Sequence, residues 1–356
     1  MTAPGSGTGE APELLKRLTP LVERLDDRLR ARPEPSGEPL HVQQRHVSVV
    51  VQGPVGAPGD QQQAWTRAAL RSVRRVLPDA ELVLSTWEGS DVRELDRDVL
   101  VLSKDPGPTP PRDPTHVVNN VNRQIVSTRA GLETASGSVA WKLRTDMELL
   151  HADALRYLGA WPARATQARV LTERILVPPY YGFNPLRVYR RFPYMVSDWA
   201  QLGLRADLLD VWCAPRFDVA YEWLLGRRIV PSEQWVWMSL LNKHDQDAFV
   251  GRPDVVAHSA LCLVNNAVVL EMADLGLRMN KVAPHLGHRA ALWTHGEWQR
   301  GYDRLCADLR PQRRMDRQAL LRTAIDRLWI NGLALPFIGP PADQTPSPRP
   351  VVPPPP

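Results

Sequence analysis

Cysteine is scarce in this sequence: Cys213, Cys262 and Cys306 are the only three, far apart and odd in number. No pair has CxxC or Cys/His zinc spacing, so neither a disulfide framework nor a structural zinc organises the chain. No window approaches 18 uninterrupted apolar residues, so nothing reads as a membrane-spanning helix. The opening "MTAPGSGTGEAPELLKRL" lacks the apolar core of a signal peptide. No basic run with interleaved aromatics is present, which argues against nucleic acid as a partner. These absences together predict a cytoplasmic protein, at most peripheral on the inner face of a membrane. The net charge of +5 is spread along the chain and suits anionic small molecules or an anionic membrane face.

What is present fits a soluble α/β protein. The 356 residues allow one large domain, and 43% hydrophobic with 23% charged is ordinary for a globular chain. Residues 1–41 read as a disordered start, an amphipathic helix and the linker "RPEPSGEP". In that helix Leu14, Leu18, Leu21, Leu25 and Leu29 share a face, with a kink near Pro20. Packing on the body, or on a second copy to give a homodimer, is the expectation for it. Residues 42–250 read as the main α/β domain, 251–340 as a mostly helical extension, and 341–356 as a disordered proline-rich tail.

The main domain alternates strand and helix. "HVSVVVQ" (46–52), "AELVLSTW" (80–87), "DVLVLS" (98–103) and "SVAWKLRTD" (138–146) are continuous apolar strands. Helices are predicted over 61–77 and 119–135, with Trp65, Ala69, Val73 and Val76 on one inner face and Val121, Ile125, Thr128 and Leu132 on the other. Such strands imply a mostly parallel sheet covered on both faces. Ligands of such sheets sit beyond the C-terminal strand ends. Polar and small residues collect at all four of those ends.

The last of these ends carries the sharpest chemistry. In "VAWKLRTDMELL" (139–150) an apolar strand ends in Arg144, Asp146 and Glu148. In an extended segment residues i and i+2 face the same way, so both carboxylates could meet one hard cation, Mn²⁺ or Mg²⁺. A salt bridge of Arg144 with either acid explains the same residues equally well. "QGPVGAPG" (52–59) has GxxGxxG spacing and no following GK[ST], which excludes a P-loop. It reads as a turn bringing backbone close to a ligand base or ribose. "NNVNRQ" (119–124) opens a helix; an N-cap accounts for one Asn but not for the cluster.

Together "VVVQGPV" (49–55), "LPDAELVLSTWEGSDV" (77–92), "LVLSKDPG" (100–107), "NNVNRQIVSTRAGL" (119–132) and "KLRTDMEL" (142–149) resemble the WavE-type lipopolysaccharide synthesis family. "SDWAQLGLRADLLDVW" (197–212) and "PSEQWVWMSLLNK" (231–243) look like its later blocks, so the resemblance spans roughly 45–245. It implies a GT-A-like α/β fold, a mostly parallel sheet flanked by helices with a mainly helical C-terminal extension. It also implies a glycosyltransferase that moves a sugar from a nucleotide-diphosphate sugar to a glycan or other hydroxyl acceptor. By the same resemblance Gln52, Gly53 and Pro54 belong to the nucleotide pocket, and Thr86, Glu88 and Asp91 line base and ribose. Asn120, Arg123 and Gln124 face the donor. Asp146 and Glu148 form a DxD-like site for Mn²⁺ or Mg²⁺, with Arg144 assisting at the phosphates.

An inverting transfer also needs a base for the acceptor hydroxyl. Glu233, at a helix start, and Asp198 are the candidates. The plainer readings are an acid favoured by the helix N-terminus for Glu233 and a turn residue for Asp198. Trp199, Trp235, Trp237 and Tyr221 suit an acceptor platform, although core packing is the commoner use of such rings. His258, His285, His288 and His295 receive no role. A metal-dependent nucleotidyltransferase and a non-catalytic sugar-nucleotide or glycan binder are the rival readings.

Overall fold

Strands that are apolar on both faces need cover on both, and the Val- and Leu-rich runs 47–52, 81–87 and 139–144 are buried almost throughout, while the edge run 99–103 leaves Leu102 exposed. The structure is a computed structural model describing residues 32–109, 119–185, 192–218, 231–246, 248, 254–280 and 292–305. The expected amphipathic N-terminal helix, its dimer contact and the proline-rich tail lie outside these residues. Strands β1 (Val47–Gln52), β2 (Glu81–Trp87), β3 (Val99–Ser103) and β4 (Val139–Arg144) are parallel neighbours. They fall within a residue or two of the predicted runs.

Helices α1 (Gln61–Val76) and α2 (Val121–Thr134) connect and cover these strands. Asp60 caps α1, its carboxylate accepting the Gln63 N–H at 2.7 Å. α2 buries Val121, Ile125, Thr128 and Leu132, as its periodicity predicts; of the face predicted for α1, Ala69 and Val73 are buried and Trp65 and Val76 half-buried, with Leu70 buried beside them. Gly131 lets α2 lie directly on β1, because a Cβ there would overlap the Val50 side chain.

The sheet continues through β7 (Gln201–Leu204), β6 (Ile175–Val177) and β8 (Ala267–Val269), in the order β3-β2-β1-β4-β7-β6-β8. β7 is antiparallel to both β4 and β6, while β6 and β8 run parallel, so β7 alone opposes the rest. A small second sheet pairs β5 (Met147–Leu149) with β9 (Leu277–Met279). Helices α3 (Arg205–Val211), α4 (Ser232–His244), α5 (Val255–Asn266) and α6 (His295–Leu305) complete the described elements. This is the GT-A-like α/β architecture expected from the sequence. No helix among the described residues is long and apolar enough to cross a membrane.

Two expected boundaries are not breaks in the fold. Beyond residue 250, β8 joins the main sheet and β9 pairs with β5, so the helical extension is woven into the domain. The linker is docked: the Ser36 and Gly37 N–H groups donate to the Ala160 carbonyl at 2.9 and 3.0 Å. Leu40 N–H donates to Leu158 at 2.7 Å. Unpaired backbone groups against a packed surface are costly, and these bonds remove that cost.

Candidate active site

Parallel strands in register present matching residues to the same side. Gln52 aligns with Ser85 on β2 and with Arg144 on β4, making a polar row at the C-terminal edge. α2 reads this row: Ser85 Oγ donates to the Ser127 carbonyl at 2.7 Å, and Ser127 Oγ donates to Gln52 Oε1 at 2.6 Å. Above the row lies a cavity of about 390 Å³. Gln52, Gly53, Pro54, Asn120, Arg123, Gln124, Arg144, Asp146 and Asp198 line it, and all were singled out from the sequence.

The local reasons differ from element to element. Gly53 sits at φ +125°, a conformation that L side chains avoid, and this turns the chain off β1 across the cavity rim. The Pro54 carbonyl is held there by Thr145 Oγ1 at 2.8 Å and Gln62 Nε2 at 3.1 Å. Asn119, not Asn120, satisfies the start of α2, its Oδ1 accepting the Val121 N–H at 2.8 Å. Asn120 instead accepts from Arg123 at 3.2 Å. Among the described residues Gln124 Oε1 is buried with no partner, which leaves an acceptor for a ligand.

Thr86, Glu88 and Asp91 are not brought to the cavity. Side chains alternate along a strand, so Trp87 shares the cavity-side face with Ser85 and Thr86 takes the other. Glu88 is exposed, and Asp91 is clasped by its neighbour Arg93 at 2.6 Å. Trp87 lines the cavity in their place.

The Asp146 and Glu148 pair is also split. β4 ends at Arg144, and Thr145–Asp146 form a turn before β5, so the i, i+2 rule for extended chain does not apply. Asp146 faces the cavity and accepts from Arg144 Nε at 2.8 Å and Nη2 at 2.7 Å. Glu148 lies in β5, and its carboxylate meets Arg278 of β9 at 2.8 Å. Among the described residues no group of three Asp, Glu, His or Cys is placed to hold a metal ion.

Asp198 and Glu233 do meet. Asp198 is 2% exposed, lines the cavity, and has no hydrogen-bond partner on either carboxylate oxygen among the described residues. Glu233, in the first turn of α4, is buried within electrostatic reach of it and does not line the cavity. Burial, then the nearby Asp198 charge, push the Glu233 carboxyl up to about 8. Its bond from Ser232 Oγ at 3.0 Å and the helix start favour the charged form but do not outweigh burial.

Sequence reading passed over Lys142. It is 1% exposed on β4, on the same face as Arg144, and it reaches the cavity floor. Its ammonium donates to the Asp198 backbone carbonyl and stands 4.9 Å from the Trp212 ring centre. Burial draws its pKa down to about 8 against the pull of Asp198, Asp146 and Glu233. The available signal was a lysine inside an otherwise apolar strand, where lysine is rarely found without a reason. Gln62, Trp87, Asp105, Ser127 and Thr145 complete the missed lining.

The aromatics serve the core. Trp199 carries the stacked ring of Tyr180 at 5.1 Å and the Arg144 guanidinium at 5.1 Å. Trp237 is buried, and Trp235 packs edge-on against Phe217 at 5.1 Å. His258 is buried and bonded to the Tyr194 hydroxyl at 2.9 Å, and His295 to the Val269 carbonyl at 2.8 Å. Tyr221, His285 and His288 lie outside the described residues.

A family model described as WavE lipopolysaccharide synthesis matches residues 47–328. No curated protein matches the chain.

Proposed function

The chain belongs to the WavE lipopolysaccharide synthesis family, and on that premise we propose that it is a glycosyltransferase using a nucleotide-diphosphate sugar. The acceptor is a glycan or other hydroxyl compound of cell-surface polysaccharide synthesis. One observation carries the reading: Asp198, whose buried carboxylate has no hydrogen-bond partner among the described residues, lines a polar cavity at the C-terminal edge of the sheet. That is where an α/β sheet of this kind takes its ligand.

The chain's own groups divide the work. Gln52, Gly53, Gln124 and Trp87 offer amide, backbone and ring contacts to the nucleoside. Asp198 accepts the acceptor's hydroxyl proton as the new O–C1 bond forms and the C1–O(phosphate) bond breaks. The bonding electrons of the broken bond leave with the nucleoside diphosphate, whose growing negative charge meets the cations of the cavity wall. Glu233, nominated alongside Asp198, does not line the cavity and in this reading tunes Asp198 rather than receiving the proton.

Of the two acids named for a divalent cation, Asp146 lines the cavity and would act with the donor's own phosphates, whereas Glu148 is turned to Arg278. Asp146 would hold the Mn²⁺ or Mg²⁺, whose charge would offset that of the diphosphate. Without a membrane-crossing helix among its described residues, the chain would meet a membrane-borne acceptor from the bilayer surface.

The direct test is a donor screen across nucleotide sugars, with and without Mn²⁺, reading the released product. Nucleoside diphosphate release that depends on Asp198 is expected. Pyrophosphate release would mean nucleotidyl transfer. Saturable donor binding with no turnover under any condition would mean a binding protein.

A further inference from the structure

Six charged groups line the cavity: the carboxylates Asp105, Asp146 and Asp198 and the cations Arg123, Lys142 and Arg144. Four of them are matched within the wall. Arg123 grips Asp105 with two bonds of 2.8 and 2.6 Å, and Arg144 grips Asp146 with two of 2.8 and 2.7 Å. Lys142 and Asp198 are left. Lys142 touches Asp198 only through the backbone carbonyl, and among the described residues its ammonium has no side-chain hydrogen-bond partner.

An ammonium has three N–H donors, and the carbonyl takes one. A buried charge with donors unused is costly unless something supplies the missing partners. A structural lysine would be cheaper as an apolar residue, since β4 is otherwise a core strand with Trp141 and Leu143 fully buried. The fold instead holds the charge at the floor of a cavity.

We propose that Lys142 is the fixed cation of a diphosphate subsite, its ammonium donating to the phosphate oxygens of a nucleotide ligand beside the Arg123 and Arg144 pairs. The inference rests on the donor class proposed above. It adds that the leaving diphosphate is bound by the chain's own buried charge whether or not a divalent cation is present. The two arginine pairs hold neighbouring cations in place at the rim, and Lys142 supplies the charge that no wall carboxylate has claimed.

The test is calorimetric titration of the full chain with inorganic pyrophosphate, in chelator and in Mn²⁺. Lys142→Gln keeps a donor for the Asp198 carbonyl and removes the charge; Lys142→Met is the second variant, should the first fail to fold. Pyrophosphate affinity should fall at least about tenfold in the variant, with its melting temperature close to that of the unaltered chain. Equal affinity of variant and unaltered chain overturns the proposal. Because the sequence contains five lysines, ¹⁵N-lysine labelling gives a direct readout on the unaltered chain. The Lys142 ammonium signal should shift on saturation with pyrophosphate, and an unmoved signal overturns the proposal. Pyrophosphate binding through Lys142 without any sugar transfer would keep this inference and sink the transferase reading. Transfer at an unchanged rate in Lys142→Gln would do the reverse.

Discussion

The Lys142 ammonium donates to the backbone carbonyl of Asp198, a residue of the cavity wall whose buried carboxylate has no hydrogen-bond partner among the described residues. The two residues are 56 positions apart. They meet because β7 runs against β4, with Lys142 aligned to Gln201, so the chain just before β7 arrives at the edge where β4 ends. A cation and an anion are thus set side by side without neutralising each other through a direct bond.

Asp198→Asn should slow sugar transfer by roughly 10²–10⁴-fold, with donor affinity changed little. The amide has the shape of the acid but no basicity. Steady-state kinetics with varied donor and acceptor check this. A matching loss of donor affinity would move Asp198 from proton transfer to donor binding.

Glu233 should make stability depend on pH. Its folded pKa of about 8 lies above the ordinary 4.5, so the folded state holds a proton that the unfolded state has lost. Its contribution is therefore full below pH 4.5 and declines as pH rises towards 8, by at most roughly 1.4 kcal/mol per pH unit. Above about 8 the depressed Lys142 acts oppositely, gaining stability towards 10.5. Glu233→Gln should flatten the lower limb and leave the upper one. Thermal melts from pH 5 to 10 on both proteins measure it, and an unchanged lower limb would refute the assignment.

Asp146→Asn should weaken Mn²⁺-dependent nucleotide binding and release Arg144 from its two-bond grip. If Asp146 serves only that ion pair, the variant will bind nucleoside diphosphate at least as well as the unaltered chain, with or without chelator. Paired calorimetric titrations separate the outcomes. Glu148→Gln, away from the cavity, should leave binding unchanged in both buffers.

Gly53→Ala should cost roughly 1–3 kcal/mol of stability, because φ +125° is closed to an alanine without strain. The new Cβ would also stand 3.2 Å from Thr145 Oγ1, the hydroxyl that holds the Pro54 carbonyl. Urea denaturation measures the loss, and donor affinity should fall with it as the rim shifts.

The sequence by itself determined the first four strands, the two helices between them and the edge where the cavity lies. Periodicity suffices there because local burial on both faces demands apolar runs, and helical spacing demands a stripe. It also carried Gln52, Gly53, Asn120, Arg123, Gln124 and Asp146 to that edge, since each follows or opens a legible element. Three things belonged to tertiary structure alone. The turn at Thr145–Asp146 parted two acids that an extended chain would have aligned. The phase of the pleat in β2 chose Trp87 over Thr86. The reversal of β7, which no local pattern records, brought Asp198 over Lys142. Each depends on how segments far apart in sequence are paired, and strand pairing is decided by long-range packing rather than by the residues of either strand.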